Sequence, residues 1–188
     1  ISNTGTAEIN STGLKAVGIY SENNLAGSAT VTNSNKIDLN GDQSIGIYTT
    51  GENNVTNTGI INIGNSSSQT QPGVGIYADH VGSSITNSAS VNVGDNGVGI
   101  YNLNGNVTNS GAITAGNGGT GIYSEGGTIT LNAGSSITTG QNDAVGVYAV
   151  NQTGVVTNNS TVSVGDGSYG FVFTGTTAPT FINNQSAV

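Results

Sequence analysis

A four-residue string of aliphatic, glycine, aliphatic and tyrosine recurs along the chain and constrains its fold more than any other feature. It reads Val17-Gly18-Ile19-Tyr20, Ile45-Gly46-Ile47-Tyr48, Val74-Gly75-Ile76-Tyr77 and Val98-Gly99-Ile100-Tyr101, then Thr120-Gly121-Ile122-Tyr123 and Val145-Gly146-Val147-Tyr148. Tyr169-Gly170-Phe171-Val172 is a degenerate seventh copy. The glycines are 28, 29, 24, 22, 25 and 24 residues apart. A repeat of this length is the mark of a solenoid, a propeller or an array.

Two further strings keep step with the first. Val31-Thr32-Asn33 returns as Val55-Thr56-Asn57, Ile85-Thr86-Asn87, Val107-Thr108-Asn109 and Val156-Thr157-Asn158, and Ile129-Thr130 fits with a one-residue slip that places Leu131 before Asn132. An alternating pair follows: Ile37/Leu39, Ile61/Ile63, Val91/Val93, Ile113/Ala115 and Val162/Val164. In these five copies the two apolar positions lie four and six residues after the Asn. One corner is therefore of fixed length, and the other two accept insertions, at 21–30 and 65–73.

Each string is β-branched with period two, the pattern of a short half-buried strand. Gly, Asn, Asp and Ser between the strings supply turn chemistry. Three strands per repeat, with every copy running the same way, predict an all-β fold: a right-handed parallel β-helix (β-solenoid) of about seven coils with three short strands per coil. At the strand spacing of about 4.7–4.9 Å, seven coils make a rod roughly 35 Å long. A Gly/Ser/Asn-rich linker is the competing reading, but a linker has no reason to hold aliphatic pairs in register.

Strand side chains alternate between faces. Val17 and Ile19 are accordingly expected inward, with Gly18 and Tyr20 outward. The outward set makes a column of Tyr20, Tyr48, Tyr77, Tyr101, Tyr123 and Tyr148 beside a strip of glycine. Such a column either shields the sheet or offers contact area to a sugar or protein. Asn33, Asn57, Asn87, Asn109 and Asn158 are expected to stack as a structural amide ladder. In the seventh copy Tyr169, Phe171 and Phe173 bring aromatics to inward positions. The two insertions are expected to project at corners and are the best places for specific contacts.

Composition excludes several classes. Gly, Asn, Thr and Ser number 31, 27, 25 and 21 of 188 residues, and good helix formers are scarce. No window approaches the roughly 18 to 20 apolar residues of a membrane-spanning helix. Lys15 and Lys36 are the only cations against ten acids, which leaves phosphate neutralisation, and so nucleic acid, without a basis. With no Cys there is no disulfide frame and no thiolate metal site. The chain starts at Ile1 without a targeting motif, and Ile1 to Gly5 and Phe181 to Asn183 both match the second string. Both ends then fall inside a coil, so the whole chain, 1–188, is expected to be a single solenoid segment, an internal slice of a longer rod.

Catalytic chemistry finds little purchase. His80 is the lone histidine and sits in a turn beside Asp79, a poor start for a nucleophilic triad. Asp38-Leu39-Asn40-Gly41-Asp42 places oxygens as a calcium loop begins, yet Gln43 and Thr49 stand where that loop needs Gly and Glu. The glycines of 116–121 precede no helix and no GK[ST], and read as a coil corner; Gly94-Asp95 and Gly165-Asp166 read as isolated turns. The outward column Thr32, Thr56, Thr86, Thr108, Thr130 and Thr157 resembles an ice-binding row but lacks a regular second row. No catalytic residue, metal or cofactor is expected.

The unit [VI]-G-[IV]-Y … [VI]-T-N-[ST] … I-x-[IV]-x-G, over essentially all 188 residues, resembles the passenger repeats of large Gram-negative autotransporter (type V secretion) adhesins, especially the fusobacterial outer-membrane autotransporters. The resemblance carries over scaffold roles only: inward aliphatics, Asn ladder and corner glycines. It implies a non-catalytic cell-surface rod, not inserted in the membrane but tethered to the outer membrane through a C-terminal β-barrel. The implied role is attachment to host cells or other bacteria through a surface protein or glycan. The alternative is a glycan-binding module using the tyrosine column. A carbohydrate-processing β-helix enzyme is a third reading, and it needs clustered acids where this chain scatters them.

Overall fold

The computed structural model describes residues 1–6, 8–177 and 179–184 and is all β: twenty-two strands and no helix among them. Every strand pairs parallel with its equivalent one coil away, giving sheets of eight, seven and seven strands. The molecule is a parallel β-solenoid of about seven coils. The tyrosine sheet runs from Val17–Asn23 to Tyr169–Thr174, the asparagine sheet from Ser2–Asn3 to Phe181–Asn183, and the third sheet from Ile9–Ser11 to Thr161–Ser163.

Like letters stack. Tyr77 lies between Tyr48 and Tyr101, Val107 between Ile85 and Ile129, and Val91 between Ile61 and Ile113. The core is a set of aliphatic columns, with Ile47, Ile76, Ile100, Ile122 and Val147 fully buried on the tyrosine sheet and Ile61, Val91, Ile113 and Ile137 facing them from the third. One coil thus places about six side chains inside; in the third these are Ile76, Ala78, Ile85, Asn87, Val91 and Val93.

The inward pair on the tyrosine sheet is not the expected one. Pairing passes from Val98↔Thr120 to Ile100↔Ile122 and skips the glycine. A Cβ on Gly99 would point inward and meet Ile113 Cγ2 at 2.6 Å and the Gly121 carbonyl oxygen at 2.6 Å. Gly18 and its equivalents therefore face the core, and no outer strip of glycine exists. The residue before the glycine therefore lies outside the central aliphatic cluster: Val17 is 44% exposed in the first coil, and Val74, Val98 and Val145, though covered, do not join that cluster, whereas Ile19 is 5% exposed and does. The second inward position falls after the tyrosine, at Ser21, Thr49, Ala78, Asn102, Ser124 and Ala149. Alternation was broken by a close backbone approach that only glycine permits.

Other departures are local. Leu131 needs no slip: it pairs with Asn109 and Asn158, occupies the Asn slot and is fully buried. Its coil supplies Ile137 and Thr139 as the third pair. Val164 lies outside the strand and is 36% exposed. Phe171 and Phe173 do pack against the core, and both touch Phe181, but Tyr169 takes the Val145 position and is 54% exposed.

The skipped glycine makes a test. Gly99→Ala forces the next coil to move and is expected to cost about 1–3 kcal/mol by overpacking. Gly170→Ala, the same motif position with nothing within 4 Å of its Cβ, is expected to be near neutral. Denaturant midpoints of the two variants measure the difference.

Candidate functional site

The six expected tyrosines form one outward column in register. From Tyr20 to Tyr148, successive ring centroids are 5.4, 4.9, 5.0, 4.5 and 5.6 Å apart. The last three pairs are parallel, within 7° to 14°, while Tyr20–Tyr48 and Tyr48–Tyr77 are tilted by 41° and 68°. This geometry decides what the column offers. From Tyr77 to Tyr148 the ring faces are covered by neighbouring rings, which leaves edges and hydroxyls turned outward. A sugar that stacks on a ring face finds none free between the rings of that stretch.

Burial by neighbours pushes the Tyr77 phenol up to about 12, assisted by the negative charge of Asp79. Tyr48 is raised for the same two reasons, and Tyr123 by burial, the adjacent Tyr101 and Glu125. At the open end the Tyr20 hydroxyl donates to Glu22 Oε2 at 3.0 Å.

The residues before the glycines, set aside from the central cluster, create a feature that the repeat did not announce. Val98, Thr120 and Val145 form a second outer column beside the rings, and with Tyr123 and Tyr148 they floor an open groove of about 490 Å³. Its rim carries Gln69, Asn96 and Asp143. Gln69 comes from the 65–73 insertion, which does not project but lies along the rod. Ser67 N donates to Asp42 Oδ1 (3.1 Å), Asn96 Nδ2 to the Ser66 carbonyl (2.8 Å) and Gln69 Nε2 to the Gly118 carbonyl (2.7 Å). Ser66, buried beneath, also accepts from Gly73 N. Short polar side chains let this segment hydrogen-bond to several coils instead of standing off in water. In the other insertion 21–23 and 29–30 are strand, and 24–28 form the turn between them, with Leu25 82% exposed.

The asparagines act in the core. Asn3 Nδ2 donates to Asn33 Oδ1 at 2.7 Å, and Asn33 to Asn57, Asn57 to Asn87 and Asn87 to Asn109 follow, each at 2.8 Å. Asn87 and Asn109 also donate to the carbonyls of Ala89 and Gly111, two residues on, which clamps the fixed-length corner. Leu131 interrupts the series, and there the corner is two residues longer. The ladder resumes with Asn158 donating to Asn183 at 3.0 Å. A second series stands at the next corner: Asn65, Asp95 and Asn117 accept at Oδ1 from the backbone N–H of Asp95, Asn117 and Gln141. Gly94-Asp95 is thus one rung of a stack, and the signal for it was the recurrence Gly64-Asn65, Gly94-Asp95, Gly116-Asn117, Gly140-Gln141 and Gly165-Asp166.

The remaining sequence candidates stand apart. Asp38 pairs with Lys36 at 2.7 Å, and its hydrogen bond and charge hold the ammonium above its ordinary range. Asp42 is held below its ordinary range by hydrogen bonding from Ser67. His80 is exposed in a turn whose carbonyl accepts from Ser83 N. Thr32 and its equivalents do form an outward column. Among the described residues, no three His, Cys, Asp or Glu side chains converge as a metal site would require. Comparisons with protein-family models, with curated proteins and with solved structures find no match to this chain.

Two measurements follow. Asn87→Leu strips partners from Asn57 Nδ2, Asn109 Oδ1 and the Ala89 carbonyl. At roughly 1–3 kcal/mol for each buried group left unpaired, a loss of about 3 kcal/mol or more is expected in denaturant unfolding. The tyrosines set an alkaline limit. Unfolded tyrosines release protons near pH 10, whereas Tyr77 folded holds its proton to about 12. The unfolded state therefore binds fewer protons between those values, and stability, complete below about pH 10, falls as pH rises through that window. Unfolding midpoints stepped through it should decline, with phenolate absorbance of the folded chain lagging that of the unfolded chain.

Proposed function

We propose that this chain is a non-catalytic rod segment of a surface adhesin of the autotransporter type. On this reading the rod stands outside a Gram-negative cell, held at the outer membrane by a β-barrel elsewhere in the longer protein, and supports attachment to host cells or other bacteria. The observation that carries it is the unbroken in-register stacking of all three sheets, joined to the passenger-type repeat strings. A stack of this kind transmits position along its axis, and every outer column repeats one chemical group at coil spacing, which suits a stalk and multivalent surface contact. Low charge and the absence of Cys are compatible with export as an unfolded chain.

A second reading, glycan binding, is favoured by the groove beside Tyr123 and Tyr148. It combines an aromatic and aliphatic floor with amide and carboxylate groups at the rim, the mixture that orients a small polar ligand. Since ring faces from Tyr77 to Tyr148 are occupied, a sugar here would seat in the groove and not between those rings.

Beads coated with the chain should be retained on epithelial cells or on partner bacteria above albumin-coated beads, and free chain should compete. Retention on neither surface would reduce the segment to a spacer. A glycan array separates the second reading: binding lost on Tyr148→Ala together with Gln69→Ala, at unchanged circular dichroism, assigns the groove as the site.

A further inference from the structure

The chain contains no Cys, Met or Trp, the side chains that oxidants otherwise attack first, so its seven tyrosines are the readily oxidised groups. Six of the seven stand in a single column with neighbouring centroids 4.5 to 5.6 Å apart. We propose that this column is an oxidative cross-linking site, in which one-electron oxidation joins neighbouring tyrosines of the same chain as dityrosine and ties successive coils covalently.

The ends and the middle of the column contribute differently. Tyr20 is 50% exposed and reachable by an oxidant, and its hydroxyl donates to the Glu22 carboxylate at 3.0 Å, so its proton has an acceptor as its electron leaves. From Tyr77 to Tyr148 the rings overlap in parallel, a path along which an electron vacancy passes from ring to ring. Tyr20–Tyr48 is tilted by 41° and Tyr48–Tyr77 meets edge to face at 68°, with centroids 5.4 and 4.9 Å apart, so these pairs are not locked face to face and their rings can turn edge toward edge, the approach that ortho–ortho coupling needs.

The chemistry balances with a haem peroxidase and hydrogen peroxide as oxidant. Each of two phenols gives up one electron and one proton. The two phenoxyl radicals join by one bond between ortho carbons, and the hydrogens at those carbons move to the oxygens to restore both phenols. The peroxide O–O bond breaks, and the two electrons and two protons convert it to two waters.

The experiment treats purified chain with peroxidase and peroxide and reads dityrosine fluorescence, which no Trp obscures here, in the monomer fraction, followed by peptide mapping. Two triple variants keep every ring and the same number of tyrosines. Tyr48→Phe/Tyr101→Phe/Tyr148→Phe leaves no two phenols adjacent, whereas Tyr101→Phe/Tyr123→Phe/Tyr148→Phe leaves Tyr20, Tyr48 and Tyr77 in contact. The natural chain and the second variant should form dityrosine within the monomer, and the first should fall to background. Equal yields from the two variants, or dityrosine found only in covalent dimers, would overturn the proposal.

Discussion

Coil-to-coil pairing in register is the constraint on which the rest of this molecule depends. A coil of some 25 residues encloses only about six inward side chains, worth on the order of 10 kcal/mol gross, while ordering its backbone costs more. No coil holds its shape alone, and the deficit is met by the hydrogen bonds and packing of the coils above and below. Register then becomes compulsory, because a one-residue slip would send every inward side chain of a strand outward.

Register also explains how so polar a chain buries amides in its core. Burying an amide without a partner is costly, but along the Asn column from Asn3 to Asn109 an amide meets an identical one a single coil away, as Asn33 meets Asn57. The same side chain clamps the tight corner through the carbonyl two residues on, as Asn87 does with Ala89. Leu131 shows the two roles are linked: hydrocarbon fills the slot, the ladder stops, and the corner lengthens.

On the outside, the rule that brings like groups together converts six separate tyrosines into one aromatic ladder. The cost is recognition surface, since stacked rings spend their faces on each other. What stays open is the edge of the ladder and the groove that Val98, Val145 and the strapped-down 65–73 segment build beside it. Acids such as Asp79 and Glu125 lie near the rings and keep this face negative as well as aromatic.

The recurring strings by themselves determined the parallel stacking, the three strands per coil, the Asn column and the Tyr column, because a repeated letter in a solenoid can only lie over its copy. The direction taken by residues around Gly18 and its equivalents, the seat of Leu131, and the course of the 65–73 segment emerge only from the packed coils. Period-two alternation assumes an evenly pleated strand, and the glycine position departs from it where one coil's backbone crowds the next. The path of the insertion rests on hydrogen bonds from Ser67 and Gln69 to Asp42 and Gly118. These residues are distant along the chain and become neighbours only once the coils are stacked.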